Sequence, residues 1–528
     1  MSLFGISKER VGVEIRKFFE QPSSVDVALL DETHLSTYLV PEFKRCMAVR
    51  HDNTRRHHGE TVYEHTKETV SRLPEDANPL LKMAGWLHDV GKPDTVAVSD
   101  NKVTFIGHED VGAAIAEARL RWMSFSNEQV KYVTALIKHH MELNALLTSE
   151  PLSERNLATL YLKTGGNLQF LQDLMTLSEA DTQTPHEKYQ EITRILNAWA
   201  ALKPAITSDD VNSFEEKIRG KMLMKARHLQ LYQHKPRETL LTEIGSIAEA
   251  ARNEKSPIKA ETIPIPALSS KPRQARNMVP IQAGNVVKIP LNRDAVKLFD
   301  DLGDVWLVGG AVRDYIYSGT LEVDDLDVTI NQDLDPLMAR LQGKGVHISP
   351  IGLKFGVFTV NLGEIDIDVA HFRSETYRRG DRHPDVKWVK TIEEDLLRRD
   401  FTINAIALKY LGNDDGEAMF EVVDPYHGLE DLKAGLVRAV GDPKERFAED
   451  ALRVMRAPRL AAKLGLTIEP KTLKEIQYVV DRGIDDELNA PTEGSIQSLG
   501  GRSGFRPGAG AGPWPASRPP SPLQPRPQ

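Results

Sequence analysis

The sequence predicts an α+β chain of 528 residues: an all-helical N-terminal part, then a small mixed sheet with helices, then a further helical segment. Three observations predict it. Between Val62 and Asp181 apolar residues recur at helical spacing, as in Leu80, Leu81, Ala84 and Leu87 and again in Val133, Leu136 and Ile137. Residues 253–280 hold repeated prolines and few large apolar side chains, the composition of an extended, exposed connector. Beyond it VWLVGG, DDLDVTI, FGVFTVNL and EIDIDVAHF are β-rich. A chain of this length exceeds one hydrophobic core, so two principal domains are expected.

Taken in order, residues 1–39 form an N-terminal helical segment and residues 40–190 the helical domain. In residues 191–252, rich in Ala, Leu, Lys and Glu, helical patterning continues as a connecting segment. Residues 253–285 are the linker, 286–412 the sheet with its helices, and 413–490 a helical segment. Residues 491–528 are rich in Gly, Pro, Ser and Arg without period and are expected to be a disordered tail. No apolar run approaches bilayer length, and the first residues lack the apolar stretch of a signal peptide, so a cytoplasmic protein without a membrane partner is expected. The single cysteine, Cys46, excludes an internal disulfide and a zinc site built on several thiolates, leaving His, Asp and Glu as metal ligands. A net charge of −9 gives no global attraction to nucleic acid, so any RNA contact must use local basic surface. No stable protein partner is deducible.

The first candidate site lies in the helical domain. The stretches YEHT, GWLHDVGKP, IGHED, IKHHMEL and SEAD set His65, His88, Asp89, His108, His140 and Asp181 on separate helical segments that can converge on one point. Adjacent His88 and Asp89 diverge by about 100° on a helix, yet a metal at the helix edge can use both when other helices close the shell. One histidine on an apolar helix is ordinarily a satisfied core residue; the joint pattern points to metal. His139 competes with His140 for the last position. Lys92, following Gly91, is placed to meet a phosphate oxygen, against the plain reading of a solvated lysine. The order His, His-Asp, His, His, Asp, with HHGETVYEHT upstream of GWLHDVGKPDT, resembles the HD phosphohydrolase superfamily over residues 40–185. The resemblance implies His65, His88, Asp89 and Asp181 as core ligands of a divalent metal (Mn, Ni, Co, Fe or Mg), with His108 and His140 completing a second position. Such a clamp lowers the pKa of a bound water and neutralises charge on a phosphoryl group. Similar modules in bacterial tRNA nucleotidyltransferases hydrolyse phosphomonoesters or cyclic phosphates.

The second candidate site lies in the sheet. VWLVGG runs into AVRD, where Gly309 and Gly310 let the backbone approach a triphosphate at a helix start, although paired glycines alone are common in such turns. Asp325 and Asp327 are two apart on a strand, so both carboxylates leave one face and can share two divalent ions. Glu364, Asp366 and Asp368 alternate with Ile365, Ile367 and Val369; like charges stacked on one face call for a cation, and Asp368 is the expected third carboxylate. These acids suit two Mg²⁺ ions, one activating an RNA 3′-hydroxyl and one holding the triphosphate.

This segment resembles the polymerase-β-like tRNA nucleotidyltransferase and poly(A) polymerase family through LVGGAVRD, DLD, DVAHFR, DLLRRDFTINAIA, DPYHGLEDL and EDALRVMRAPRLAAKLG, in that order over residues 303–470. The resemblance implies that Gly310 and Arg313 touch the nucleotide, Asp325 and Asp327 the metals, and Arg399, Asp400 and Asn404 the ribose and phosphates. Base reading falls to Asp450 and Arg453, three apart on one helical face, with Arg456 and Arg459 continuing the stripe. A carboxylate acceptor beside a guanidinium donor matches the edges of C and A and opposes those of U and G. CTP and ATP are therefore the expected substrates and tRNA or another RNA 3′ end the acceptor, a wrong base leaving polar groups unpaired at about 1–3 kcal/mol each. CCA addition is the leading expectation, and poly(A) addition shares every motif. Two departures stand out besides the reversed domain order. Pro458 predicts a kink that displaces Arg459, and after Ile476 the sequence shows a short helical remnant where the family continues into a helical neck and body.

Overall fold

The computed structural model describes residues 6–21, 27–50, 60–99, 102–182, 186–254, 257–268, 276–321, 325–363, 365–376, 385–415 and 417–488. Glu364 and the expected tail, 491–528, lie outside the described residues.

The helical half is built around one wholly buried helix. Pro79–Leu87 starts on an Asn78 cap with proline in its first turn, and all nine of its residues are buried. Its one charged residue, Lys82, donates to the Gln21 and Glu75 carbonyls, and a helix buried on every side belongs at the centre of a domain; this one delivers His88 and Asp89 from its C-terminal end into the interior. Around it pack Val62–Arg72 and Leu168–Thr182, and Asn127–Thr148, which pairs with His108–Trp122. Two of these begin with reciprocal caps, Thr61 with Glu64 and Ser126 with Gln129, which fix where His65, His139 and His140 fall along each helix. A short antiparallel hairpin, β1 (Ala97–Ser99) and β2 (Lys102–Thr104), interrupts the helices between the second and third histidines.

The connecting region divides. His186–Ala201 adds Ile192, Leu196 and Trp199 to the main core, whereas the helices from Ser208 to Asn253 close a second core on Ile206, Ile218, Met222, Leu240 and Ile247. Residues 257–268 have no helix or strand, as a connector should, but they are not wholly exposed. Ile263 is buried, the Glu261 N–H donates to the Lys163 carbonyl, and Asn167 Nδ2 donates to the Ile263 carbonyl.

The sheet contains β3 (Val286–Ile289), β4 (Val305–Val308), β5 (Asp325–Ile330), β6 (Ile348–Ser349), β7 (Val357–Asn361), β8 (Asp366–His371), β11 (Ala407–Asp414) and β12 (Glu417–Val423). Its order is β3-β12-β11-β4-β5-β8-β7-β6, antiparallel except for β5 beside β8. Between β8 and β11 the chain forms a second antiparallel pair, β9 (Arg373–Thr376) and β10 (Asp385–Trp388), and the helix Ile392–Leu397. A last two-stranded pair, β13 (Leu436–Val437) and β14 (Thr467–Ile468), is parallel and brackets Leu452–Leu464.

That helix is continuous through Pro458 and ends on Gly465 at φ 62°. Ala457, Pro458, Leu460 and Ala461 on it are buried. Behind it Pro470–Leu488 runs for 19 residues, longer than the remnant the sequence suggested. Lys8–Phe19 lies along Leu452–Leu464, so helices more than 430 residues apart in sequence form one layer. Val11, Ile15, Phe18 and Phe19 join one buried apolar cluster that reaches from the histidine-bearing helices to Ala457 and Leu460.

Candidate functional site

In the helical half, five of the six expected ligands are buried and one, Asp181, is partly so. His65 Nε2 lies 2.8 Å from Asp181 Oδ1 and 3.6 Å from Asp89 Oδ2. His88 Nε2 lies 3.2 Å from Asp89 Oδ2, and His108 Nε2 lies 3.3 Å from Asp89 Oδ1 and 3.2 Å from His140 Nε2. Ligand atoms thus gather in two triads, His65-His88-Asp89 and Asp89-His108-His140, with Asp89 common to both. The outer nitrogens explain the orientation. Nδ1 of His88, His108 and His140 each faces a backbone carbonyl three residues back, those of Gly85, Phe105 and Ile137, at 2.5–2.8 Å. A carbonyl only accepts, so Nδ1 carries the hydrogen and Nε2 presents a lone pair inward. Two such lone pairs 3.2 Å apart, on His108 and His140, repel unless a cation sits between them. The residues therefore fit a divalent metal.

Electrostatics agree. Burial, aided by the neighbouring His88 and His108, pushes His140 down to about 3, and burial lowers His65, which keeps both as neutral ligands. Against its burial, the Asp89 and Asp181 carboxylates push His88 up to about 10; a cation on those carboxylates would replace that proton. His139 resolves the choice with its neighbour: its Nδ1 turns to Glu142 Oε1 at 3.2 Å, away from the cluster. Lys92 is not a solvated lysine, since its amine is 2.5 Å from Asp89 Oδ2 and largely buried. Asn144, one helical turn beyond His140, was not anticipated; its Nδ2 donates to Asp181 Oδ2 at 2.9 Å and its own oxygen accepts from Ser178. The four-residue spacing from His140 was the available signal.

In the sheet, the parallel pair β5 and β8 sets Asp325 opposite Asp366 and Asp327 opposite Asp368. The Asp325 side chain lies outside the described residues. Asp327 and Asp368 both line a pocket of about 760 Å³, together with Gly309, Gly310, Arg313, Arg399, Asp400, Asn404, Asp450, Arg453, Arg456 and Arg459. Asp366 is turned to Asn361, whose Nδ2 donates to it at 2.6 Å, while Thr359 Oγ1 donates to Asp368 Oδ1 at 2.6 Å. Gly309 has φ 82°, and a Cβ there would stand 2.8 Å from Asp327 Oδ2, so the turn admits only glycine beside that carboxylate. From this turn the helix Gly310–Ser318 carries Arg313, which donates to Asn404 Oδ1 at 2.6 Å and to Asp314 Oδ1 at 2.8 Å. Asn404 donates to Asp400 at 2.9 Å, and despite its burial Asp400 is held below the usual carboxylate range by Arg456, 2.8 Å away.

The pair expected to read the base is arranged differently from a single helical face. Asp450 is extended, at φ −141° and ψ 105°, in the junction between Pro443–Glu449 and Leu452–Leu464; Arg453 is the second residue of the latter. At this junction Asp450 Oδ1 accepts from the Leu452 N–H at 3.0 Å. Arg453 Nη1 donates to Glu449 and to the Arg446 carbonyl, and Nη2 to the Arg398 carbonyl at 2.7 Å. The distant helix Lys8–Phe19 supplies two partners the sequence did not suggest: Arg10 donates to Asp450 Oδ2 at 3.1 Å, and Glu14 pairs with Arg459 at 2.6 Å.

Comparison with known proteins bears on both halves. Residues 305–438 match the poly A polymerase head domain, and residues 55–160 match the HD domain. The chain thus carries a stretch similar to a poly A polymerase head domain behind one similar to an HD domain. Residues 2–47, ahead of the HD domain, match the probable RNA and SrmB-binding site of polymerase A. A CCA-adding enzyme of Limosilactobacillus fermentum is 43% identical over 171 residues, 32% of this chain and 39% of its own length. One from Anoxybacillus flavithermus is 38% identical over 174 residues, 33% of this chain and 40% of its own. The chain thus spans about two fifths of the length of these curated relatives. Among solved structures, the Bacillus stearothermophilus CCA-adding enzyme in complex with CTP is 31% identical, covering 34% of this chain and 40% of that one at a TM-score of 0.28. Head and HD domains are metal-dependent families, and the HD triads described above are the matching groups in this chain. Among the described residues no helix is long and apolar enough to cross a membrane.

Proposed function

We propose that the chain is a template-independent nucleotidyltransferase that adds C and A to the 3′ end of tRNA, with a phosphohydrolase in its HD domain. The observation that carries the reading is the register of β5 and β8, which faces Asp327 and Asp368 into a pocket whose other wall is Arg313, Asn404, Asp450 and Arg453. The relatives named CCA-adding enzyme support it.

Asp327 and Asp368, with Asp325, would hold Mg²⁺, which supplies charge neutralisation at the triphosphate and a more acidic 3′-hydroxyl. The chain's own residues do the rest. The Gly309–Gly310 turn brings backbone N–H groups to the phosphates. Arg313, fixed between Asp314 and Asn404, presents a preset cation to them. Arg10 and the Leu452 N–H leave Asp450 with accepting capacity for the amino group of C or A. Arg453 has five N–H donors of which three are engaged, leaving donors for the ring nitrogen beside that amino group. At the other centre, His65, His88, Asp89 and Asp181, with His108 and His140, would hold one or two of Mn, Ni, Co, Fe or Mg for removal of a terminal phosphate.

Purified protein incubated with Mg²⁺, tRNA lacking its CCA end and each nucleotide separately tests the reading. CTP is incorporated on the trimmed tRNA and ATP on tRNA ending in CC, with UTP and GTP at background. Equal use of UTP overturns base reading, and processive use of ATP alone moves the assignment to poly(A) addition. Asp327→Ala lowers transfer about 1,000-fold or more, the loss of one metal's charge stabilisation; unchanged transfer would make the head a binding module.

A further inference from the structure

Among the described residues Trp388 is the one tryptophan classed as exposed, at 55%, although it ends a strand in the middle of the head. Its position is built. The indole lies against Gly356, where a Cβ would come within 2.2 Å of the ring, so only glycine leaves room for it. Its ring centroid is 4.7 Å from that of His371, and its cross-strand partner is Arg373.

Arg373, its cross-strand partner, ties Trp388 to the transferase pocket, which it lines together with Val357 and Ala370. Across the sheet the pocket runs from the Gly309 turn after β4, past Asp327 on β5 and Asp368 on β8, to Val357 on β7. Trp388 therefore stands beyond Asp368, on the far side of the acid pair from the glycine turn. In-line displacement places the attacking and leaving oxygens on opposite sides of the reacting phosphorus. With the triphosphate at the glycine turn, the attacking hydroxyl arrives from the β7–β8 side, and the last nucleoside of the acceptor passes the exposed indole. Lys387 and Lys390 flank it, both exposed, with charge suited to the acceptor's phosphates.

We propose that Trp388 is the stacking platform for the terminal base of the RNA acceptor. This rests on the nucleotidyltransferase reading above. Stacking on an aromatic face accepts any base, which suits an end whose last base changes after each addition. Arg373 and the two lysines hold the backbone while the indole sets the depth to which the 3′-hydroxyl enters.

The test uses the full chain, a 5′-labelled single-stranded RNA ending in CC with a free 3′-hydroxyl, and EDTA to keep binding separate from transfer. Trp388→Ala weakens RNA binding by about 5- to 150-fold, the range of one stacked base, and raises KM for RNA while KM for ATP is unchanged. Trp388→Phe restores most of the affinity. RNA also quenches part of the wild-type tryptophan fluorescence, and that part is absent from Trp388→Phe. Unchanged RNA affinity in Trp388→Ala overturns the platform, as does equal loss of RNA and ATP binding without rescue by Phe. If the wild type transfers no nucleotide, the functional reading fails, and the binding and quenching results decide the platform separately.

Discussion

A carbonyl oxygen three residues back decides what each of three histidines in the HD centre can offer. Because Gly85, Phe105 and Ile137 take the Nδ1 hydrogens, all three Nε2 atoms face inward, and Asp89 is the carboxylate common to both triads. Asp89→Asn is thus expected to cost both metal positions, not one. Elemental analysis of the purified variant should show less than half the wild-type metal content, with nucleotide transfer by the head unchanged; a variant retaining one full equivalent would contradict a bridging role. This centre was legible in the sequence because each ligand sits in its own short motif, so residue identity and order were enough. Choosing between His139 and His140 was not possible there, since adjacent helical residues differ only in which way the helix is turned. Thr359 and Asn361 were also out of reach: each acts by hydrogen-bonding a carboxylate across a strand pair.

Among elements, the parallel pairing of β5 with β8 is what turns two acidic stretches into one site. Alternation within each strand was readable; that the two strands are neighbours, with Asp327 level with Asp368, belongs to the sheet order. The helical segment behind them departs from its sequence reading at one point: the face expected to carry Asp450 and Arg453 is broken at Asp450, which is extended and lies between two helices. What holds Arg459 in place is Glu14 on Lys8–Phe19, a pairing no local pattern announces. Removing that carboxylate leaves a partly buried guanidinium unpaired, at about 1–3 kcal/mol. Glu14→Ala should raise KM for CTP and ATP by about 5- to 100-fold for the same reason, with a smaller effect on RNA binding, as measured by steady-state kinetics with each substrate varied. A rise confined to RNA would show that Glu14 serves the acceptor instead.

For the molecule as a whole, the apolar cluster is not divided at the boundary the composition suggested. Phe19 packs against Trp86, on the helix that delivers His88, at 5.6 Å between ring centroids, and Ile15 is buried on the same helix as Phe19, which also packs along Leu452–Leu464. An unpaired carboxylate placed in such a core costs several kcal/mol. Ile15→Asp should accordingly lower the melting temperature, and phosphohydrolase and transferase activities should disappear along one thermal curve. Loss of transfer at a temperature where the HD domain keeps full activity would mean the halves melt apart. Composition could place a linker and two kinds of chemistry, but not this shared layer, because its parts are separated by nearly the whole sequence.

Lys8–Phe19 therefore behaves as a crossbar between two machines. A tilt of this helix that moves Phe19 against Trp86 also moves Arg10 against Asp450 and Glu14 against Arg459. Anyone retuning either half through this rod's greasy side should expect to hear from the other.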